Sequence, residues 1–105
     1  MQPIERQIDS LIKAAQDEEW DEIDEDLIPE LWGSGSHDVA AAELLLHVGD
    51  KDPNIRDVVA TALSALQFTD TDLVKEAVDS MFIMATSDPE KFPAGRAAVF
   101  LLLHQ

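Results

Sequence analysis

The sequence predicts an all-α protein with about six helices in antiparallel pairs, packed as a single domain. Apolar residues recur at helical spacing along most of the chain, and no clear run alternates with the period of two expected for a strand. Only five prolines and four glycines interrupt the 105 residues. With 46% hydrophobic residues, a chain of this length can bury one core.

The first 35 residues are predicted to form an acidic pair of helices. The first helix presents one apolar face, made of Ile4, Ile8, Leu11, Ile12 and Ala15. The second has a stripe at i, i+3, i+7 and i+11, made of Trp20, Ile23, Leu27 and Leu31. Pro29 lies within this stripe, and we expect it to kink or split the helix because it lacks an N–H and crowds the preceding turn. The segment GSGS at 33–36 provides a flexible joint.

Two helices are predicted next. Ser36 is a candidate N-cap for a helix from about His37 to Val48. Asp52 suits the N-cap of the following helix and Pro53 suits its first position, where a missing N–H costs nothing. That helix is expected to run to about Gln67.

Two more helices complete the chain. The segment TDTD at 69–72 supplies a cap for a fifth helix, whose apolar face comprises Leu73, Val74, Ala77, Val78, Met81 and Met84. Asp88 and Pro89 repeat the Asp-Pro step, but Pro93 and Gly95 follow closely. The sixth helix is therefore expected to begin near Ala94 and to run to the end.

Internal similarity supports helix pairs, because RDVVATAL (56–63) aligns with RAAVFLLL (96–103) at a spacing of 40 residues. The segment DKDPNIRDVVATALSAL (50–66) resembles the second-helix signature of the HEAT-like repeat family. The matching positions are Asp50, Pro53, Ile55, Arg56, Ala62 and Leu63. Residues 38–49 resemble the first helix of such a unit, and the resemblance is partial over 70–103 and absent from 1–35.

The resemblance implies a HEAT-like right-handed stack in which residues 36–105 form two helix pairs beside the acidic N-terminal pair, 1–35. It implies a scaffold that binds proteins rather than a particular activity. It also implies that Asp50 and Arg56 bond between neighbouring units.

The segment DEEWDEIDED (17–26) holds eight carboxylates in ten residues. The chain carries 22 acidic and 7 basic residues, a net charge of −15. Residues 1–52 hold 15 acidic and 3 basic residues (−12), and residues 53–105 hold 7 and 4 (−3). This charge disfavours direct binding to nucleic acid or anionic membranes, and its asymmetry can steer a basic protein to one end of the molecule. The candidate partner-binding residues are Asp17, Glu18, Glu19, Trp20, Asp21, Glu22, Asp24, Glu25, Asp26 and Glu30.

Other chemistry finds little support in the sequence. An EF-hand calcium loop needs a central glycine and alternating ligands, which the acidic segment lacks. Ser36, His37 and Asp38 are adjacent at a helix start and point about 100° apart, so they cannot form a relay. The three histidines lack zinc-site spacing, and no glycine-rich phosphate loop is present. We therefore expect no catalytic residue, no metal and no cofactor.

The two tryptophans and the last helix allow more than one interpretation. Trp20 and Trp32 are expected to anchor the core, the alternative being exposed aromatics within an acidic ring. The segment VFLLL (99–103) is expected to be buried, but a single covering layer would leave part of it for another subunit. The C-terminal helix is thus a possible homodimer interface.

Two functions agree with these sequence features. The first is a non-enzymatic protein-binding module whose acidic face engages a basic protein surface, for example an immunity protein or inhibitor of a cationic toxin. The alternative is a HEAT-like scaffold, adaptor or self-associating domain without a dedicated charged-partner site. Acidity that serves solubility at high salt is a third explanation of the charge. The N-terminus lacks an apolar signal-peptide core, so a cytoplasmic location is expected.

Overall fold

The computed structural model of the chain describes residues 2–104, and these contain helices and turns but no strand. The six helices are α1 (Ile4–Gln16), α2 (20–32), α3 (His37–Leu45), α4 (Pro53–Ala65), α5 (Thr71–Ser87) and α6 (Lys91–Leu103). The predicted all-α class and the number of helices are confirmed. None of these helices is long and apolar enough to cross a membrane within the described part of the chain.

Two predicted helix starts are confirmed by their side-chain caps. The Asp52 carboxylate accepts a hydrogen bond from the Asn54 N–H at 2.9 Å, and Pro53 is the first residue of α4. The Asp70 carboxylate accepts from the Leu73 N–H at 3.1 Å and begins α5. Ser36 stands at the predicted N-cap of α3, but its side chain makes no capping bond. Gly35, with φ of 80°, supplies the left-handed residue that the turn before α3 requires.

Two predicted boundaries were wrong. Helix α3 ends at Leu45 rather than Val48, and turns occupy residues 46–49. Helix α6 begins at Lys91 rather than Ala94, so Pro93 is its third residue. The first turn of a helix has no intrahelical acceptors for its N–H groups, and Pro93 therefore fits there without losing a bond.

The core is built around α4, which buries Ile55, Val58, Val59, Ala60, Ala62 and Leu63. Helices α1 and α6 both pack against α4, and α5 packs against α6. Each of the other five helices also contributes a large, fully buried side chain. These are Ile8, Ile23, Leu44, Met81 and Phe100. The acidic pair α1 and α2 is therefore part of the same core as the rest of the chain.

Helices α4 and α6 run side by side in the same direction. In their first halves Arg96 donates to Asp57 at 3.3 Å. Phe68, just after the end of α4, stacks on Phe100 in the last turn of α6, with ring centroids 6.3 Å apart. Helix α5 lies antiparallel to α6 across a short turn. This layer order is consistent with the HEAT-like stack that the sequence resembles.

An ion pair cross-links the two C-terminal helix pairs. Arg56 donates from Nε and Nη2 to the two oxygens of Asp88, at 2.7 and 2.9 Å. The guanidinium also donates to the backbone carbonyls of Asp50 and Lys51. The resemblance implied bonds from Arg56 and Asp50 between repeat units, and the charged partner of Arg56 is Asp88, just after α5. The Asp50 carboxylate instead accepts from the Asp52 N–H within its own turn.

Candidate protein-binding site

All nine candidate carboxylates are exposed, and together we call them the acidic surface. They lie on the turn between α1 and α2 and along the outer side of α2. Ile23 and Leu31, on the inner side of the same helix, are fully buried. Burial of these two side chains fixes α2 on the core, so the carboxylates are presented on an ordered helix. The acidic surface comprises Asp17, Glu18, Glu19, Asp21, Glu22, Asp24, Glu25, Asp26 and Glu30.

The turn that leads into the acidic surface contains an unusual backbone. The Glu18 N–H donates to the Ala15 carbonyl at 3.1 Å and the Glu19 N–H to the Ala14 carbonyl at 2.9 Å, which is a Schellman ending of α1. The residue at its left-handed position is Glu18, with φ of 59°, where glycine is usual. Glu18 is the one non-glycine residue with positive φ in residues 2–104. A glutamate held in this conformation adds charge to the acidic surface at a cost in backbone energy.

A π-helical turn sets the register of α2. The helix consists of an α turn at Trp20–Glu22, a π segment at Ile23–Leu27 and an α segment at Ile28–Trp32. The Ile28 N–H donates to the Ile23 carbonyl, five residues back. Eight α-helical residues would place Ile23 and Leu31 about 80° apart around the axis, and the extra residue of the π turn brings them back to about 20°. Both side chains therefore reach the core.

The π turn also changes the expected effect of Pro29. We expected Pro29 to kink or split this helix. Residues 20–32 are helical throughout, but the regular α geometry is interrupted by the π segment Ile23–Leu27 just before Pro29. Pro29 is the second residue of the segment Ile28–Trp32, immediately after the π turn. The widened turn absorbs the irregularity that the missing N–H imposes.

The charge of the acidic surface is almost uncompensated. Lys13 and Asp17, 3.3 Å apart, form its one ion pair among residues 2–104. The pKa of Glu22 is raised above its ordinary value of 4.5, first because its carboxyl hydrogen-bonds to that of Glu19, and then through partial desolvation and the charges of Glu19 and Asp26. Carboxyl groups that crowd one another in this way favour an approaching cation.

A groove of about 270 Å³ adjoins the acidic surface, between the start of α2 and the starts of α4 and α6. Trp20, half-buried against the core, and Phe92, 66% exposed, contribute its aromatic lining. Glu18, Asn54, Asp57 and Arg96 supply its polar lining. Aromatic and carboxylate groups together suit the stem and head of an arginine or lysine side chain. Sequence reasoning did not find Phe92, Asp57 or Arg96, because the fold alone brings these residues beside Trp20.

Trp32 does not anchor the core as expected, since it is 47% exposed. Its ring meets that of His37 edge to face, with centroids 4.2 Å apart. The Gln67 N–H donates to His37 Nδ1 at 2.9 Å, and Nε2 lies 2.8 Å from the Trp32 carbonyl. His37 therefore fastens the end of α2 to the connection between α4 and α5.

Asp38 has a similar structural role. Its carboxylate accepts from the Thr69 and Asp70 N–H groups, at 2.8 and 3.2 Å. The side chains of His37 and Asp38 thus bond to backbone groups rather than to each other, and that of Ser36 makes no capping bond. In residues 2–104, no three histidine or acidic side chains are arranged to hold a metal ion.

Comparisons with protein-family models, with curated proteins and with solved structures found no match to this chain. The class of protein therefore follows from the fold and the acidic surface alone.

Proposed function

We propose that this chain is a non-enzymatic protein-binding module whose acidic surface docks onto a basic protein. The observation that carries the proposal is a row of nine exposed carboxylates with a single ion pair in residues 2–104, on the turn before α2 and on α2 itself, which Ile23 and Leu31 anchor to the core. A surface of one sign accelerates encounter with a partner of the opposite sign and disfavours wrong partners.

The groove beside Trp20 adds specificity to the charge. A basic side chain of the partner would lie between Trp20 and Phe92 with its cation near Glu18 and Asp57. Arg96, 55% exposed and paired with Asp57 at 3.3 Å, occupies part of this position in the unbound protein. The partner's cation would replace Arg96 at Asp57 while the aromatic rings cover its apolar stem.

An immunity protein or inhibitor of a cationic nuclease is one concrete form of this function. A nuclease groove is basic because it accepts phosphates, and an ordered row of carboxylates can occupy it. The second candidate is a HEAT-like scaffold or adaptor without a dedicated charged-partner site. The parallel packing of α4 and α6 and the Arg56–Asp88 cross-link between helix pairs favour it.

Two variants separate these functions. The neutralised variant changes Asp21, Glu22, Asp24 and Glu25 to Asn or Gln. The charge-matched control changes Glu5, Asp9, Asp72 and Glu76 in the same way, at four carboxylates that are equally exposed but lie off the acidic surface. Both variants have the same net charge, so only the position of the lost charge differs.

The experiment immobilises the wild type and both variants, exposes them to lysate of the native host at low and physiological salt, and identifies retained proteins by mass spectrometry. We expect the same basic protein on the wild type and the control, and its loss on the neutralised variant. An identical set of proteins on all three would contradict an acidic docking surface and favour the scaffold. If the groove holds a side chain of that basic protein, Trp20→Ala should also retain less of it than the wild type does.

A further inference from the structure

Helix α6 differs from the other five helices of residues 2–104 because its sequence, KFPAGRAAVFLLL, contains no carboxylate. Its inner side buries Pro93, Ala97 and Phe100 against α4 and α5. Its outer side is mostly apolar, with the exposed Arg96 at its edge. There the exposed fractions are 66% for Phe92, 48% for Val99, 66% for Leu102 and 62% for Leu103.

The expectation that VFLLL is buried therefore holds for Phe100 and was wrong for Val99, Leu102 and Leu103. Phe100 is fully buried and stacks on His104 with ring centroids 4.1 Å apart. Changing it would disturb the core rather than a surface. We call the outer side of α6, formed by Phe92, Gly95, Val99, Leu102 and Leu103, the apolar face.

A helix that is apolar on all sides is normally buried on all sides. The last unit of a helical stack normally presents a polar outer face to water. Helix α6 is neither buried on all sides nor polar on its outer side, because α4 and α5 cover its inner side only. The four exposed side chains offer roughly 400 Å² of apolar surface, given that one large side chain buries about 150–250 Å².

We propose that the apolar face binds a second copy of this chain, as a twofold dimer through paired α6 helices. Charge argues for this occupant. Two copies that each carry a charge of −15 repel each other wherever carboxylates meet, and α6 is the helix that brings none to the contact. The apolar face supplies roughly 400 Å² of a standard interface, which buries about 600–1,000 Å² per partner, and the polar residues around it would supply the rest.

We place the twofold axis perpendicular to α6, which makes the paired helices antiparallel and fixes which residues meet. Phe92, near the start of α6, lies over Leu102 and Leu103 of the partner subunit. Gly95 faces Val99 of the partner subunit. A Cβ at Gly95 would have no neighbour within 4 Å in the single copy, so this position is an open notch that a valine side chain can fill. The antiparallel arrangement also pairs opposite ends of the two helix dipoles.

The dimer uses no carboxylate of the acidic surface, although it covers Phe92, which also lines the groove beside Trp20. Its response to salt has the opposite sign. Salt screens the repulsion between two acidic copies and leaves apolar contacts in place, so dimerisation should strengthen as salt rises. Binding of a basic partner should weaken over the same range. The neutralised variant should therefore still dimerise, and a monomeric α6 variant should still bind the basic partner. Failure of one proposal is thus distinguishable from failure of the other.

Sedimentation velocity over a concentration series tests the proposal with the full chain. The wild type, with a chain mass of 11.6 kDa, should reach twice that mass. Leu102→Glu should weaken dimerisation about a hundredfold, because symmetry places the new charge on both copies. Leu46→Glu is the matched control, since Leu46 is 74% exposed in the turn after α3 and lies off the apolar face, and it should dimerise as the wild type does.

A wild type that remains monomeric at every concentration would overturn the proposal, and so would a Leu102→Glu protein that dimerises normally. Circular dichroism checks that each variant is folded. If Leu102→Glu is not, Leu103→Gln makes a milder change on the same face and should weaken dimerisation in the same direction. Normal dimerisation of a folded Leu103→Gln protein would overturn the proposal as well.

Discussion

The carboxylates of residues 17–30 and those of residues 38–88 have different roles in this molecule. In the second set, Asp38, Asp52 and Asp70 accept backbone N–H groups, and Asp57 and Asp88 bond to arginines. In the first set, nine carboxylates face solvent and one of them has a cationic partner in residues 2–104. These five carboxylates of residues 38–88 stabilise the fold, whereas charge on the acidic surface is available for another molecule.

Ionisation of Asp88 should stabilise the folded protein, whereas ionisation of Glu22 should destabilise it. Hydrogen bonds from Arg56 hold the pKa of Asp88 below its ordinary value of 3.8. The stabilisation from Asp88 is complete above that value and is lost as pH falls through its folded pKa, because the unfolded chain binds the proton first. The pKa of Glu22 is raised because of Glu19, so its contribution is present below its ordinary value and is lost as pH rises through its folded pKa.

The largest effect on stability is expected from Arg56→Ala. The Asp88 side chain is 4% exposed and that of Arg56 14%, so removal of the arginine leaves a buried charge unpaired. We expect a loss of about 3–5 kcal/mol in the free energy of unfolding at neutral pH. Chemical denaturation measures this. Lys75→Ala is the control, because its pair with Asp79 is exposed and should contribute less than about 1 kcal/mol.

The same variant tests the pH dependence of the Arg56–Asp88 pair. Protonation of Asp88 removes the attraction in the wild type, so the difference in stability between wild type and Arg56→Ala should shrink as pH falls below 3.8, the ordinary pKa of Asp88. Denaturation midpoints over a pH series give this difference. A gap that stays constant or widens in acid would contradict the assignment of Asp88 as the charged partner.

A smaller loss is expected where an aspartate caps a helix. Asp52→Ala removes the acceptor of the Asn54 N–H and should cost about 1 kcal/mol. Ser36→Ala changes the corresponding residue of α3, whose side chain makes no capping bond, and should leave the melting temperature nearly unchanged. Equal shifts for the two variants would show that the N-cap bond at Asp52 does not contribute as the geometry indicates.

On the acidic surface, a substitution at Glu18 should stabilise the protein. Glycine relieves the left-handed backbone at φ of 59°, and Glu18→Gly should gain about 0.5–1 kcal/mol. Glu19→Gly removes the same charge one residue later, where φ is −90°, and should not stabilise. Thermal melting compares the two. A stabilised Glu18→Gly protein that binds the basic partner less well would indicate that the strained glutamate serves binding.

Residue patterns within single helices predicted the helices and two of their starts. The π turn of α2 and the covered side of α6 depend on contacts between residues distant in sequence. Asp52, Pro53 and Asp70 specify helix starts through bonds within three residues, so these starts were predictable. The π turn in α2 arises because both Ile23 and Leu31 are drawn into the core, which no local pattern shows. Nor can helix periodicity show which apolar side of α6 is covered.

The candidate site was predictable to a similar extent. A dense row of charge is visible in the sequence, so the nine carboxylates were named as candidates, and the structure places all nine at the surface. The groove was not found, because Asp57, Phe92 and Arg96 reach Trp20 only through the packing of α2, α4 and α6. Trp32 was assigned to the core from residue type alone, and it lies instead against His37 at the surface.

The most direct test of the acidic surface is the association rate of an arginine-rich peptide with the wild type, the neutralised variant and the charge-matched control across a salt series. Exposed charges are screened beyond about 10 Å at 0.1 M salt, so the wild-type and control rates should be high at low salt and fall steeply as salt rises. The neutralised variant should associate slowly at low salt with a shallow salt dependence. Its folding should be unchanged or improved by a few tenths of a kcal/mol, because i,i+4 repulsion is relieved. Equal rates for the neutralised variant and the control at every salt concentration would contradict a docking surface at residues 17–30 and leave the charge with no role beyond solvation.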